Sequence, residues 1–194
     1  MATSKIHTQR TDMVETQTVK FDMYEMSYKG GNILSDLSLV PFEEQYYEQY
    51  KNLINSCFYE MRKALNIQPY GKFCESLEEL KEQKKDIFLL FDDEKVICTV
   101  SCLGNEIGSL AVDLAYQRQG YGRKLMEFAL SHMQSRGDSP IKLTVTKWNR
   151  HAIALYERLG FEITKETTIK GISTKDADGN WHFAFTSTGD LQVR

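Results

Sequence analysis

The sequence holds no apolar run near the roughly 20 residues that cross a bilayer, which argues against a membrane-spanning protein or a membrane partner. Its opening, residues 1–10, lacks the apolar core of a secretory signal. Positive charge is not in excess either: 24 Lys and Arg face 27 Asp and Glu, a net charge of −3, whereas a general nucleic-acid binder is usually basic. The four cysteines, Cys57, Cys74, Cys98 and Cys102, make no CxxC pair and no His/Cys metal spacing, so no metal site is expected. Cys98 and Cys102 fall on one face of an expected strand and read as small buried thiols; unpaired cysteines suit a reducing cytoplasm. Internal repeats and low-complexity tracts are absent. What is present, 194 residues with 41% hydrophobic and 26% charged content, is ordinary for a soluble globular chain with enough length for a proper core.

Residues 1–17 are polar and aperiodic and are expected to form a loose N-terminal arm, with a single domain over 18–194. Val19, Phe21 and Met23 alternate with polar residues as in a short strand before the Gly30-Gly31 break, and Leu37, Leu39 and Val40 form another ending at Pro41. From Phe42 the spacing turns helical: Phe42, Tyr46 and Tyr50 recur at fours, and Leu53, Ile54 and Phe58 extend the apolar side toward Leu65. A loop over 66–73 precedes a short helix capped by Ser76 and running to about Lys84. Strands are expected over 87–91, 96–102 and 107–114. After Gly122 a helix places Leu125, Phe128, Ala129 and Met133 on one stripe and stops near Gly137. Ile141, Leu143 and Val145 alternate as a strand, and Asn149 to Leu159 is a helix closed by Gly160. Phe161 and Ile163 start a last long strand, and Asp176–Asn180 is a turn signal before Trp181–Phe185, so the chain should end in a hairpin. This order of elements indicates an α/β (α+β) fold, a mixed sheet with helices on its faces.

The most informative stretch is Gln117-Arg118-Gln119-Gly120-Tyr121-Gly122, where an alternating apolar run stops and a helical pattern begins at once. Glycines can turn backbone N–H groups toward an anion, and a helix start adds unpaired donors and the positive end of its dipole. A glycine pair before a helix serves equally as a tight turn, so spacing alone leaves a phosphate cradle and a plain turn both open.

This hexapeptide resembles the Gln/Arg-x-x-Gly-x-Gly/Ala signature of the GNAT superfamily of acyl-CoA N-acyltransferases. A second stretch, Asn149-Arg-His-Ala152-Ile-Ala-Leu155-Tyr156-Glu-Arg-Leu-Gly160-Phe161, is similar to the family's Asn-x-x-Ala-x-x-Leu-Tyr-x-x-x-Gly-Phe segment. The two motifs, in this order and each after an expected strand, make a specific signal over about 33–185. The resemblance implies a bent mixed sheet whose central parallel strands, here about 107–114 and 141–145, splay apart for the pantetheine arm of acetyl-CoA (coenzyme A). It implies that Leu110, Ala111 and Val112 meet pantetheine through their backbone. Gln117, Arg118, Gln119, Gly120, Tyr121, Gly122 and Arg123 would surround the pyrophosphate, and Asn149 and Tyr156 would face the cofactor from one helix stripe. Core strand residues and a packed helix face remain the plain alternatives. Leu114 departs from the proline that many relatives carry there.

The implied activity is N-acetylation of a primary amine by direct attack through a tetrahedral intermediate. A backbone N–H from Val112 would polarise the thioester carbonyl, Tyr156 would protonate the departing thiolate, and Glu106 would accept the amine's proton. A solvated strand-end carboxylate is the plain alternative for Glu106. Thr144 stands where relatives that acetylate ribosomal-protein N-termini carry glutamate, which counts against an N-terminal substrate. His151 faces away from the Asn149–Tyr156 stripe. Glu43, Glu44 and Glu48 beside Tyr46, Tyr47 and Tyr50, with Pro69-Tyr70-Gly71, would suit a cationic amine or form an ordinary amphipathic helix. The expected acceptor is a small-molecule amine; a protein or peptide lysine, and a non-catalytic acyl-CoA-binding sensor, are the alternatives. The terminal hairpin leaves a homodimer open.

Overall fold

Eight strands form one mixed sheet in the computed structural model, which describes residues 15–71 and 76–188. They are β1 (Glu15–Tyr28), β2 (Val40–Pro41), β3 (Ile87–Asp92), β4 (Lys95–Leu103), β5 (Glu106–Val112), β6 (Lys142–Thr146), β7 (Phe161–Lys175) and β8 (Trp181–Thr188), in the order β2-β3-β4-β5-β6-β1-β7-β8. Every neighbouring pair is antiparallel except β5 and β6. Among the described residues four α-helices accompany them: α1 (Tyr47–Ala64), α2 (Leu77–Lys81), α3 (Tyr121–Arg136) and α4 (Arg150–Arg158). None of the helices described is long and apolar enough to cross a membrane.

The first strand departs most from expectation. Its alternation at Val19, Phe21 and Met23 holds, but β1 runs for 14 residues and lies between β6 and β7. Glu15, Thr16 and Gln17, expected in the arm, therefore belong to the sheet, while residues 1–14 and Cys74 lie outside the described residues. β1, sixth of the eight strands in order, lies ahead of the range 33–185 over which the family resemblance is expected.

Alternation along the strands sends side chains to two helical layers. On β3, Ile87 and Leu89 join Leu53 and Ile54 of α1, whereas Phe88 joins Leu125 and Leu130 of α3. Leu125, Met126, Ala129, Leu130 and Met133 are all fully buried, the i, i+4, i+8 pattern of a core-facing helix. Each buried leucine contributes about 1.5–3 kcal/mol. Cys98 and Cys102 are buried free thiols in the same layer, and burial pushes both up to about 12.

Local signals set the ends of these elements. Ser76 and Glu79 form a capping box at α2, the Ser76 N–H donating to Glu79 Oε2 at 2.7 Å. Gly137 and Gly160 take left-handed φ of +82° and +97° just past α3 and α4. α1 starts later than its periodicity suggests, because a 3-10 turn over Glu44–Tyr46 precedes it. In the terminal hairpin, Asp176 accepts hydrogen bonds from the N–H groups of Asp178 and Asn180 and pairs with His182 Nε2 at 2.9 Å. The His182 bond first, then the backbone donors, hold its carboxyl at about 2. Across the hairpin, Phe183 lies over Gly171, where a Cβ would come within 2.5 Å of the ring.

Candidate active site

The parallel pair is joined only at its beginning. Glu106 opposes Lys142 and Ile107 opposes Leu143, after which β5 and β6 continue without pairing. A bulge on β5 explains the parting. Between the pairs Ser101↔Gly108 and Thr99↔Ala111, β5 carries one residue more than β4, and Ser109 takes φ +44°. An extra residue bends its strand and strengthens the local twist. The expected splay over 107–114 and 141–145 is thus present, with β5 ending at Val112.

The backbone facing the gap follows from the ladder. Val112 opposes Cys98, and the Asp113 N–H donates to the Ile97 carbonyl at 2.8 Å. That is the pattern of a non-hydrogen-bonded pair, which turns the N–H and C=O of Val112 away from β4 and toward β6. Its carbonyl already accepts from Gln117 Nε2 at 3.0 Å and Cys57 Sγ at 3.1 Å, so its N–H is the group offered to the gap. Ala111, opposite Thr99, turns its own groups to β4. Beyond the strand, Asp113 Oδ1 accepts from the Ala115 N–H at 2.9 Å and caps a 3-10 turn over Leu114–Tyr116. That cap sets the turn without a proline at Leu114.

At the glycines, α3 begins at Tyr121, earlier than the expected start after Gly122, because Gly120 is its N-cap at φ +89°. The N–H groups of Arg123 and Lys124 donate to the Gly120 carbonyl, leaving those of Tyr121 and Gly122 as first-turn donors at the positive end of a 16-residue helix. Arg118 also takes a left-handed φ, +64°. Three side chains turn away from the expected anion: Gln117 holds the Val112 carbonyl, Gln119 Nε2 donates to the Ala115 carbonyl at 3.0 Å, and the Arg123 guanidinium pairs with Glu127 at 2.7 Å.

Tyr156 and Asn149 both line a cavity of about 840 Å³ that occupies the gap. Asn149 is the N-cap of α4, its Oδ1 accepting from the Ala152 N–H at 3.2 Å. Tyr156 is buried, and desolvation alone pushes its phenol up to about 12. Glu106 lies outside the lining, exposed at the closed end of the splay, where Oε1 accepts from the Thr144 hydroxyl at 3.3 Å. Thr144 itself lines the cavity.

On the opposite face of the sheet the cavity widens into a chamber. Phe21 and Met23 of β1 form its floor, Phe58, Met61 and Arg62 of α1 its roof, and Trp181 and Phe183 of β8 its far wall. The roof is tied down where Ser173 Oγ donates to the Gln68 carbonyl at 3.2 Å. Glu43, Glu44 and Glu48 take no part in the lining, and Tyr46 and Tyr50 pack on Phe91 and Phe42 instead. Of the loop expected beside them, Pro69 reaches the cavity. The chamber walls from β1 and β8 are site residues that sequence reasoning misses. Their signal, the alternation of Phe21 with Met23 and of Trp181 with Phe183 and Phe185, marks strands and says nothing of where those strands dock. Among the described residues no group of three or more His, Cys, Asp or Glu side chains is placed to hold a metal.

A parallel pair that parts after two residue pairs, beside a helix start capped by glycine, is the defining feature of the site. Residues 47–161 match the Acetyltransferase (GNAT) family, and the chain belongs to that family. The ribosomal protein bS18 alanine N-acetyltransferase of Escherichia coli K12 is 44% identical over 71 residues, covering 37% of this chain and 46% of that protein. The chain therefore spans about half the length of that relative. N-alpha-acetyltransferase 30 of Schizosaccharomyces pombe is 29% identical over 134 residues, 64% of this chain and 83% of that one. A solved GNAT-family structure from Novosphingobium aromaticivorans shares the fold, with a TM-score of 0.60 over 89% of this chain and 68% of that chain at 17% identity.

Proposed function

We propose that this protein transfers an acetyl group from acetyl-CoA to a primary amine, most directly that of a small molecule. One observation carries the reading: a single cavity joins the opened β5–β6 gap, with Tyr156 in its wall, to a chamber on the other face of the sheet. The residues present fit the co-substrate. The Val112 N–H faces the gap, and the Tyr121 and Gly122 N–H groups stand at the positive end of α3, suited to a pyrophosphate.

Acetyl-CoA supplies an activated thioester and a thiolate leaving group. The Val112 N–H hydrogen-bonds the carbonyl oxygen as negative charge builds there; one such donor is worth about 10²–10³ in rate. Tyr156, raised to about 12 by burial, carries its proton throughout the physiological range. It is a weaker acid than a thiol of pKa ~8.5, so it hydrogen-bonds the departing sulfur and keeps its own proton, and CoA leaves as the thiolate. On the acceptor side, the Thr144 hydroxyl links the cavity to Glu106, a path by which the amine's proton reaches a carboxylate open to solvent.

A panel of amines assayed for release of free CoA thiol tests this reading; tight CoA binding with no turnover on any amine would replace it with a sensor. The activities of the bacterial and yeast relatives named above favour a second reading, acetylation of a protein N-terminal amine. Thr144, in place of the glutamate expected for such enzymes, weighs against it, and a short peptide with a free N-terminal alanine belongs in the panel.

A further inference from the structure

Three buried hydroxyls among the described residues have no hydrogen-bond partner: Thr99, Ser101 and Thr146. Thr99 and Ser101 lie away from the cavity, whereas Thr146, 8% exposed, lines it. A buried hydroxyl without a partner is unfavourable, so a ligand that hydrogen-bonds Thr146 gains by relieving it. Thr146 ends β6 directly across from Met23, at the boundary between gap and chamber.

The chamber around it is largely apolar and aromatic, with Asn180 and His182 as polar members at the β8 end. Among the described residues that line it there is no carboxylate, and the one Lys or Arg is Arg62, 5% exposed, whose Nε donates to the Pro69 carbonyl at 2.7 Å. Burial lowers that guanidinium to about 10, still a cation at neutral pH. A polyamine or an aminosugar would bring extra ammonium groups or hydroxyls into such a space, where both lose their water. An aromatic body instead replaces water on apolar walls and can stack edge-to-face with Phe58, Trp181 and Phe183.

Resting on the acetyl-transfer reading above, we propose that the acceptor is a monoamine carried on an aromatic or bulky apolar body. The body occupies the chamber between Phe21, Met23, Phe58, Met61, Trp181 and Phe183, and a rotation of the Thr146 side chain brings its occluded Oγ1 to the cavity to accept a hydrogen bond from the amine.

The test separates binding from turnover. Calorimetry of the whole chain with 2-phenylethylamine and with spermidine reads the chamber without any chemistry. Phenylethylamine should bind at least about 10-fold tighter, the equivalent of burying a single apolar group. Equal or tighter binding of spermidine, or binding of neither, overturns the proposal. In the thiol-release assay, phenylethylamine and tryptamine should exceed spermidine, glucosamine and an alanine-starting peptide in kcat/KM. A lead for the peptide or the polar amines overturns the aromatic acceptor while leaving acetyl transfer standing. Release of no thiol with any amine, with phenylethylamine still bound, removes the acetyl-transfer reading alone. Thr146→Val should raise the phenylethylamine Kd about 5- to 10-fold at unchanged acetyl-CoA affinity, and Thr146→Ser should restore it. An unchanged Kd in a folded Thr146→Val protein overturns the assignment of Thr146.

Discussion

The two sides of the gap are assembled in different ways. On the donor side, a run of seven residues, Gln117 to Arg123, and one short helix supply the features proposed to hold acetyl-CoA, and much of that work falls to backbone N–H groups. On the acceptor side, the chamber draws side chains from β1, α1, β6 and β8, segments spread from Phe21 to Phe183. A backbone cradle depends on local conformation, so it tolerates change around it and keeps one anion. A side-chain chamber collected from distant segments changes shape with any one of them, so two chains sharing the donor side need not share an acceptor.

The sharpest challenge to this division is Tyr156→Phe, which removes the phenol and keeps the ring. We expect kcat to fall about 100-fold or more while acetyl-CoA affinity stays within about twofold, since a single hydrogen bond made mainly in the transition state is lost. Rate at saturating amine should also rise with pH as the amine, pKa ~10.4, loses its proton. Tyr156, protonated below about 12, should impose no descending limb below pH ~10. Steady-state profiles of both proteins check this.

Gly120→Glu challenges the donor side alone. It forces a non-glycine residue to φ +89°, at about 1–2 kcal/mol, and sets a carboxylate against the expected anion. Acetyl-CoA should bind at least about 10-fold more weakly by calorimetry, with 2-phenylethylamine binding unchanged. A variant that folds and binds acetyl-CoA normally would move the cradle elsewhere.

Gly171→Val does the reverse. Its new Cβ meets the Phe183 ring at 2.5 Å and the Ala184 carbonyl at 2.8 Å, and overpacking of this kind costs about 1–3 kcal/mol. The amine KM should rise several-fold, about the effect of displacing one apolar wall, with the acetyl-CoA KM unchanged. Equal effects on both substrates would mean that the two sides are not separable.

The smallest effect concerns the hairpin turn that carries the far wall. The Asp176 carboxyl is held at about 2, below its unfolded value near 3.9. Its contribution to stability is therefore present above pH ~4 and is lost as pH falls through about 2. Asp176→Asn should be slightly less stable than the parent at pH 7, and urea melts should show that difference shrinking below pH 4.

Much of the donor side is legible in residue spacing. The glycine hexapeptide, the Asn149 cap and the Gly160 stop all act within a few residues, so their conformations follow from nearby chain. Gln117 is the instructive exception. Its place in the motif suggests the anion, yet its amide turns back to the Val112 carbonyl, a contact set by how the strand end meets the turn. For the acceptor side, spacing points to the start of α1, where carboxylates and tyrosines stand together in sequence. In the fold those tyrosines fill the core between α1 and the sheet, and the C-terminal turns of the same helix, Phe58 to Arg62, reach the cavity.

By itself, the sequence determined the strands, the helix ends and the glycine turn ahead of α3, because alternation, capping and left-handed glycines work over spans of a few residues. The tertiary structure decided how far the gap opens and what closes its other side. The bulge at Ser109, the insertion of β1 between β6 and β7, and the seating of β8 all depend on register between strands from opposite ends of the chain. Register is a property of the paired strands and not of either one alone, since a slip of a single residue would exchange the chamber's side chains for those of the opposite face.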